Sequence, residues 1–267
     1  MFRTRLITVA VALPLFAAAL LLLPQNFWAL VLLPAVAIAG WEWGALAGYR
    51  AGTRSAYVAI VVVSALLLYL AADLPGPAPV YVWAYALSAA FWVVVAPLWL
   101  RARWATRNAL ILGIAGWIAL VPLWLALVRL QASPGMLLLF LSIVWIADTA
   151  AYLAGKRWGR NKLAPVVSPG KTWEGLIGAA AAVGVYYAIL SFIVPAGERT
   201  FVGWSGLAVF AGVLILSVIG DLFESLLKRQ AGVKDSGSLL PGHGGVLDRI
   251  DGLTSTMPAA ALVVYLY

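Results

Sequence analysis

Long apolar runs separated by short polar stretches set the pattern of this chain. A membrane-spanning helix needs about 20 mainly apolar residues. Nine such runs can be drawn: Leu6–Leu23, Phe27–Ala47, Ala56–Ala72, Tyr81–Leu100, Ala109–Val128, Met136–Ala154, Trp173–Val194, Trp204–Leu222 and Leu253–Tyr267. The pattern predicts an all-α polytopic membrane protein of about nine transmembrane helices. The first run follows Arg3 and Arg5 and contains Ala17–Ala19, as a secretory signal would. It is longer than a signal core, and eight more runs follow, so it is read as a retained helix. Trp28, Trp41, Trp43, Tyr81 and Trp104, near run ends, read as interfacial anchors. No internal repeat of the transporter kind is visible.

The polar stretches support this count. If each run reverses direction and the N-terminus is cytoplasmic, 16 of the 18 basic residues fall on the cytoplasmic side; Arg129 and Arg199 do not. The asymmetry predicts N-terminus in and C-terminus outside, in the periplasm of a bacterial inner membrane. Removing one early run would put most later basic residues on the wrong side. The outer connections, such as Pro24–Asn26 and Gln131–Gly135, are short. The two long polar loops, Gly155–Thr172 and Lys228–Gly252, both face the cytoplasm. The chain divides into a scaffold, residues 1–130 with five helices, and a catalytic region, residues 131–267. The latter holds four helices and the loops at 155–172 and 228–252.

Composition narrows the chemistry. Of 267 residues, 64% are hydrophobic and only 10% charged, against roughly 25% charged in soluble domains. There is no cysteine and one histidine, which excludes disulfides, thiolate chemistry and multi-histidine metal sites. A metal here would be a hard cation held by carboxylates. The net charge of +8 fits basic loops against anionic membrane lipids, not a nucleic-acid partner.

Seven of the ten acidic residues gather at the cytoplasmic end of the last four runs: Asp148, Glu174, Asp221, Glu224, Asp235, Asp248 and Asp251. Charge at membrane depth is expensive and marks function by default. Asp148 lies inside an apolar run; its plainer reading is a carboxylate paired with a nearby Lys or Arg. Asp221 and Glu224, three apart, share a helix face. With Asp248 they could form an oxygen-only Mg²⁺ site, or they could be helix-end charges at the interface. In Ser168-Pro169-Gly170-Lys171-Thr172-Trp173-Glu174-Gly175, backbone N–H groups at a helix start and the Lys171 charge could cradle a phosphate. Glu174 could simply cap the helix. The stretch is not a Walker A loop, because the first glycine is missing and no strand is predicted before it. The segment from Ser225 to Asp251 is dense in charge and glycine and contains His243. Cations interleaved with carboxylates suit a polyphosphate–metal substrate, and apolar spans beside them suit a lipid. The residues alone imply a membrane enzyme that handles phosphates with Mg²⁺.

Ser225-x-Leu227-Lys228-Arg229, four residues, Lys234-Asp235, then Leu240-Pro241-x-His243-Gly244-Gly245-Val246-x-Asp248-Arg249-Ile250-Asp251 resembles the signature of phosphatidate cytidylyltransferases, the CDP-diacylglycerol synthases, without departure. The stretches Ser168–Gly175, Asp148–Tyr152 and Gly220–Ser225 resemble further motifs of that family, so the likeness covers the chain from about Asp148 onward. It implies that CTP and phosphatidic acid give CDP-diacylglycerol and pyrophosphate with Mg²⁺, in a metal pair that can include K⁺. It implies metal ligation by Asp221 and Asp248, with Glu224 behind them, and phosphate contacts from Lys228, Arg229, Lys234 and Arg249. Asp235 and Asp251 complete the catalytic set. Ser168, Lys171 and Thr172, with Glu174, Asp148 and Ser225 beside them, would hold substrate. His243 would shape the loop, or act as an acid or base that an anionic nucleophile does not need. A homodimer is compatible with this reading. The rival readings are another CTP-dependent lipid phosphotransferase, such as a polyprenol kinase, and a transporter of a phosphorylated solute. Within the synthase reading, the Ser168–Gly175 loop is assigned to phosphatidic acid and the Ser225–Asp251 loop to CTP.

Overall fold

The apolar runs fold as helices. The computed structural model describes residues 14–73, 79–195, 201, 203–239 and 244–267. Its helices are α1 (Gln25–Leu46), α2 (Ala51–Leu70), α3 (Val80–Ala102), α4 (Ala109–Leu130), α5 (Pro134–Trp158), α6 (Trp173–Ile193), α7 (Gly203–Gln230) and α8 (Leu247–Leu266). Residues 14–22 are helical too; the start of the first expected span, with Arg3 and Arg5, lies outside the described residues. The helices α1 to α7 are each long and apolar enough to cross a membrane. The chain is an all-α polytopic membrane protein. In α8, Asp248, Arg249 and Asp251 occupy the first turns, and the apolar stretch begins only at Leu253.

Helix α4 is the buried centre, with most of its residues out of reach of solvent or lipid. It is held by indole N–H groups that must find partners where water is absent. Trp28 Nε1 donates to Leu127 O and Trp43 Nε1 to Leu112 O, while Trp124 Nε1 of α4 donates back to Ala29 O. Trp28 and Trp43 are therefore core residues of the α1–α4 contact, not the interfacial anchors expected. Trp41 and Trp104 do lie at the exposed surface.

Helix α3 contains a π turn at Phe91–Val95. The extra residue that such a turn accommodates falls where Phe91, Trp92 and Trp99 meet Phe223 of α7. Their ring centroids lie 5.5, 5.4 and 5.3 Å from that of Phe223, and Trp43 stacks at 6.5 Å. Phe223 is 0% exposed. The N-terminal helices thus grip α7 between Asp221 and Glu224.

The two ends of the bundle differ. At one end Gln230 Nε2 donates to Trp104 O, Arg229 Nε to Val167 O, and Ser236 Oγ to Glu42. At the other, Gln131 Nε2 donates to Leu20 O and Leu23 O, and Tyr187 Oη to Gly203 O. The loops assigned to one side by the charge pattern therefore do meet at one end.

Two expectations are corrected. Helix α7 does not stop at Leu222 but continues two turns to Gln230, so Lys228 and Arg229 are helical residues rather than loop residues. The stretch from Phe223 to Gln230 holds no Gly or Pro, and the charged turn continues the helix until Gly232. There φ is +73° and the N–H groups of Gly232 and Val233 close on Arg229 O and Lys228 O. The first polar loop is not irregular either. β1 (Lys162–Ala164) pairs antiparallel with β2 (Ser168–Thr172), and β2 leads straight into α6. The backbone pairing overrides the turn character of Pro169 and Gly170.

Phe223→Ala should destabilise the protein by about 3 kcal/mol, which is roughly 5–10 °C in Tm for a chain of this size. Phe223→Leu should lose far less. Thermal unfolding in detergent measures both; equal, small losses would mean that the aromatic cluster does not hold α7.

Candidate active site

Between α5, α6 and α7 lies a cavity of about 560 Å³. Its apolar wall includes Ala147, Leu176, Ala179, Leu214 and Val218, and its polar wall Asp148, Ser168, Lys171, Thr172, Asp221, Lys228, Asp235, Asp248, Arg249 and Asp251. Ten residues singled out in four separate stretches of sequence thus face one space.

Small residues build the wall. A Cβ on Gly175 would lie 2.8 Å from Ala151 O, and one on Gly178 would collide with Ala154, so α5 and α6 cross at close range. Thr172, buried, caps α6 by accepting from Gly175 N at 3.1 Å, and both residues line the cavity. Lys171 Nζ of β2 lies 2.6 Å from Asp221 Oδ2 of α7, and Ser225 Oγ donates to Asp221 Oδ1 at 3.3 Å. The Ser168–Gly175 and Gly220–Ser225 motifs therefore touch each other across the site.

An ion triad borders the cavity, with Lys228 and Asp248 in its wall and Glu224 behind them. Lys228 Nζ lies 2.5 Å from Glu224 Oε2 and 2.6 Å from Asp248 Oδ1. The second oxygen of Asp248 accepts from Gly245 N at 2.8 Å and Ser236 N at 3.0 Å. Burial works against the Asp248 charge, but Lys228 and these N–H groups outweigh it and hold the carboxyl below the usual range. Gly244 adopts φ +83°, and a Cβ there would come within 2.6 Å of Asp248 Oδ2.

Several expected residues lie elsewhere. Glu224 is 2% exposed and pairs with Lys228 behind the cavity rather than lining it. Arg229 is exposed and reaches Val167 O and Val233 O. Lys234 is exposed and outside the lining. Glu174 is half-buried and accepts from Asn161 N and Asn161 Nδ2, tying the residue before β1 to the start of α6. His243, with Leu240 to Gly242, lies outside the described residues. One residue escaped the sequence reading. Glu42 on α1 is 5% exposed and accepts from Ser236 Oγ, Val246 N and Leu247 N at 3.0, 3.1 and 2.8 Å. An acid in an otherwise apolar helix was the available signal.

Among the described residues no three carboxylates converge as a preformed metal cluster. Asp221 is engaged by Lys171 and Asp248 by Lys228, while Asp148 and Asp251 also face the cavity. All donors are oxygens. They fit Mg²⁺, which keeps several waters and takes one or two carboxylates plus substrate phosphates.

Fold and site together define a membrane-embedded enzyme whose charged cavity opens among apolar helices. The profile of the cytidylyltransferase family matches residues 3–267, and the chain belongs to that family of nucleotidyltransferases. It is 38% identical, over 99% of its own length and 97% of the relative's, to the phosphatidate cytidylyltransferase of Pseudomonas aeruginosa. It is 48% identical to that of Haemophilus influenzae over 46% of this chain and 43% of the relative. For Brucella suis the figures are 53% over 47% and 44%.

Removing one member of a buried ion group leaves the others unpaired and costs about 3–5 kcal/mol. Lys228→Met should therefore lower Tm sharply, and adding Glu224→Gln should recover part of the loss. Thermal unfolding in detergent checks this; a double variant no more stable than Lys228→Met would mean that Glu224 carries no charge there.

Proposed function

We propose that this protein is a phosphatidate cytidylyltransferase that joins CTP to phosphatidic acid, giving CDP-diacylglycerol and pyrophosphate for phospholipid synthesis. The observation that carries the reading is the cavity, with cations and carboxylates along one wall and lipid-like apolar residues along the other. The relatives' names support the choice of substrates.

A phosphate oxygen of phosphatidic acid attacks the α-phosphorus of CTP, and the bond from that phosphorus to the bridging oxygen of the β-phosphate breaks. The nucleophile is already an anion, so no base is required. Lys171, Lys228 and Arg249 face the space where phosphates would gather. Lys171 would exchange Asp221, its partner at 2.6 Å, for a substrate phosphate. Ser168, at the start of β2, and Thr172, which caps α6, would orient that anion, the latter through the helix end. Asp221 and Asp248 would hold Mg²⁺, with K⁺ as a second cation, and Mg²⁺ would supply charge neutralisation at the phosphates. Glu224 would act on this pair through Lys228. Asp148, Asp235 and Asp251 complete the acidic wall. Lys234, Arg229 and His243 belong to the rim and loop around it. The Ser168–Gly175 stretch is assigned to phosphatidic acid and the Ser225–Asp251 segment to CTP, in a membrane-embedded assembly that a homodimer would suit.

The charged end faces the cytoplasm of a bacterial inner membrane in this reading, with nine spans, N-terminus in and C-terminus out. Basic residues concentrate there: among the described residues only Arg129 lies near the opposite end. Such an excess sets orientation.

Two measurements test the proposal. Purified protein in detergent with CTP, phosphatidic acid and Mg²⁺ should release CDP-diacylglycerol and pyrophosphate, and EDTA should abolish the reaction. A lipid phosphate with CDP would indicate a kinase instead. Asp221→Asn should insert and fold yet lose about 10²-fold in turnover, the size typical of lost electrostatic stabilisation; normal turnover at saturating Mg²⁺ would remove Asp221 from the site. For orientation, cysteines at positions 162 and 234 in spheroplasts should resist an impermeant thiol reagent that labels one at 133. Labelling at position 234 without lysis would reverse the topology.

A further inference from the structure

Helix α8 starts without a cap of its own: Val246 makes no side-chain capping bond. Its first N–H groups are instead satisfied by Glu42, about 200 residues earlier. Glu42 Oε1 accepts from Val246 N and Oε2 from Leu247 N and Ser236 Oγ. A carboxylate at a helix N-terminus is also favoured by the helix dipole.

The same two loop segments serve a second carboxylate. Ser236 N and Gly245 N both donate to Asp248 Oδ2. Glu42 thus grips Ser236 by its hydroxyl and the start of α8 by its amides, while Asp248 takes the amides of Ser236 and Gly245. The fit around Glu42 leaves no slack. A side chain at either Gly237 or Gly245 would collide with its carboxylate. This gives two glycines of the charged segment a physical reason that the segment alone does not offer.

We propose that Glu42 is a positioning residue for the reaction: it fixes the two loop segments whose N–H groups aim Asp248 into the cavity. It touches neither substrate nor cation. The proposal rests on Asp248 belonging to the active site as read above. It makes the N-terminal scaffold a working part of the site, because α1 supplies the clasp.

The test uses the full-length protein in detergent. Glu42→Gln replaces one acceptor oxygen by a donor facing N–H groups. Turnover should fall by roughly 10²-fold, the scale of a misplacement of about 1 Å, with the KM for phosphatidic acid within about twofold of the parent. Hydrogen exchange, followed without Mg²⁺ or substrates, should speed up at the amides of Ser236, Gly245, Val246 and Leu247 and stay unchanged in α2, α5 and α6. Parental turnover in Glu42→Gln would overturn the proposal. So would exchange accelerated evenly across all helices, since a merely structural residue would loosen the whole bundle. Should Glu42→Gln fail to insert, Ser236→Ala decides. It cuts the bond to Glu42 but keeps the Ser236 N–H that Asp248 accepts. Turnover lower by roughly three- to tenfold, with faster exchange confined to residues 236–247, supports the clasp; parental turnover and exchange refute it. The reading of the reaction itself stands or falls separately, on whether the parent protein forms CDP-diacylglycerol at all.

Discussion

One ammonium holds the two halves of the site together. Lys228, at the end of α7, sits between Glu224 on its own helix and Asp248 at the start of α8. Each of these charges alone would cost several kcal/mol to remove from water. Together they offset one another, and the remaining oxygen of Asp248 is taken by two backbone N–H groups. Without Lys228 the start of α8 would carry buried negative charge with no cation to offset it. Lys228 thereby ties the cavity wall that Asp248 and Arg249 form to the end of α7.

The same demand, that every polar group find a partner inside the protein, shapes the α7–α8 contact below the triad. Ser255 Oγ donates to Leu216 O at 2.7 Å, and Thr254 and Thr256 bond carbonyls of their own helix. Gly220 makes this approach feasible: a Cβ there would sit 2.6 Å from Asp251 O and 2.5 Å from Ser255 Oγ. The glycine that precedes Asp221 therefore lets α8 come close enough for Asp221 and Asp251 to line one cavity. Packing by small residues and placement of charge are one feature of the sequence.

Much of this was legible beforehand, for identifiable reasons. Apolar runs of 20 residues have few alternatives to helix, and the alternation of basic loops located one end of the bundle. The carboxylates at membrane depth pointed to the cavity because charge there needs a purpose. What failed was local. Hydropathy marks where a helix leaves the membrane, not where it ends, so α7 was cut two turns short at Leu222. Gly and Pro in Ser168–Thr172 signalled a turn, whereas strand pairing across Lys162 and Thr172 decides the conformation. Glu42 was passed over because its partners, Ser236 and Leu247, are distant in sequence and no local spacing connects them. Trp43 looked like an anchor because it lies near a run end; only the fold shows it donating into α4.

The distribution of charge has two layers that work in opposite senses. The rim is basic: Arg101, Arg103, Lys156, Arg157, Arg160 and Lys162 all sit at the same end as the cavity mouth. A rim of that sign raises the local concentration of polyanions and speeds their encounter. The cavity itself is different. Asp148, Asp221, Asp235, Asp248 and Asp251 line it against Lys171, Lys228 and Arg249, so the wall carries an excess of carboxylates when ionised. A triphosphate drawn in by the rim would be repelled at the wall unless cations accompany it. The lysines already engaged by Asp221 and Asp248 can turn to phosphate only if other positive charge takes their place. Under the proposed reaction, a wall of this sign would favour a nucleotide that arrives with its divalent cation over one that arrives bare, through the sign of the wall rather than through a preformed cage of ligands.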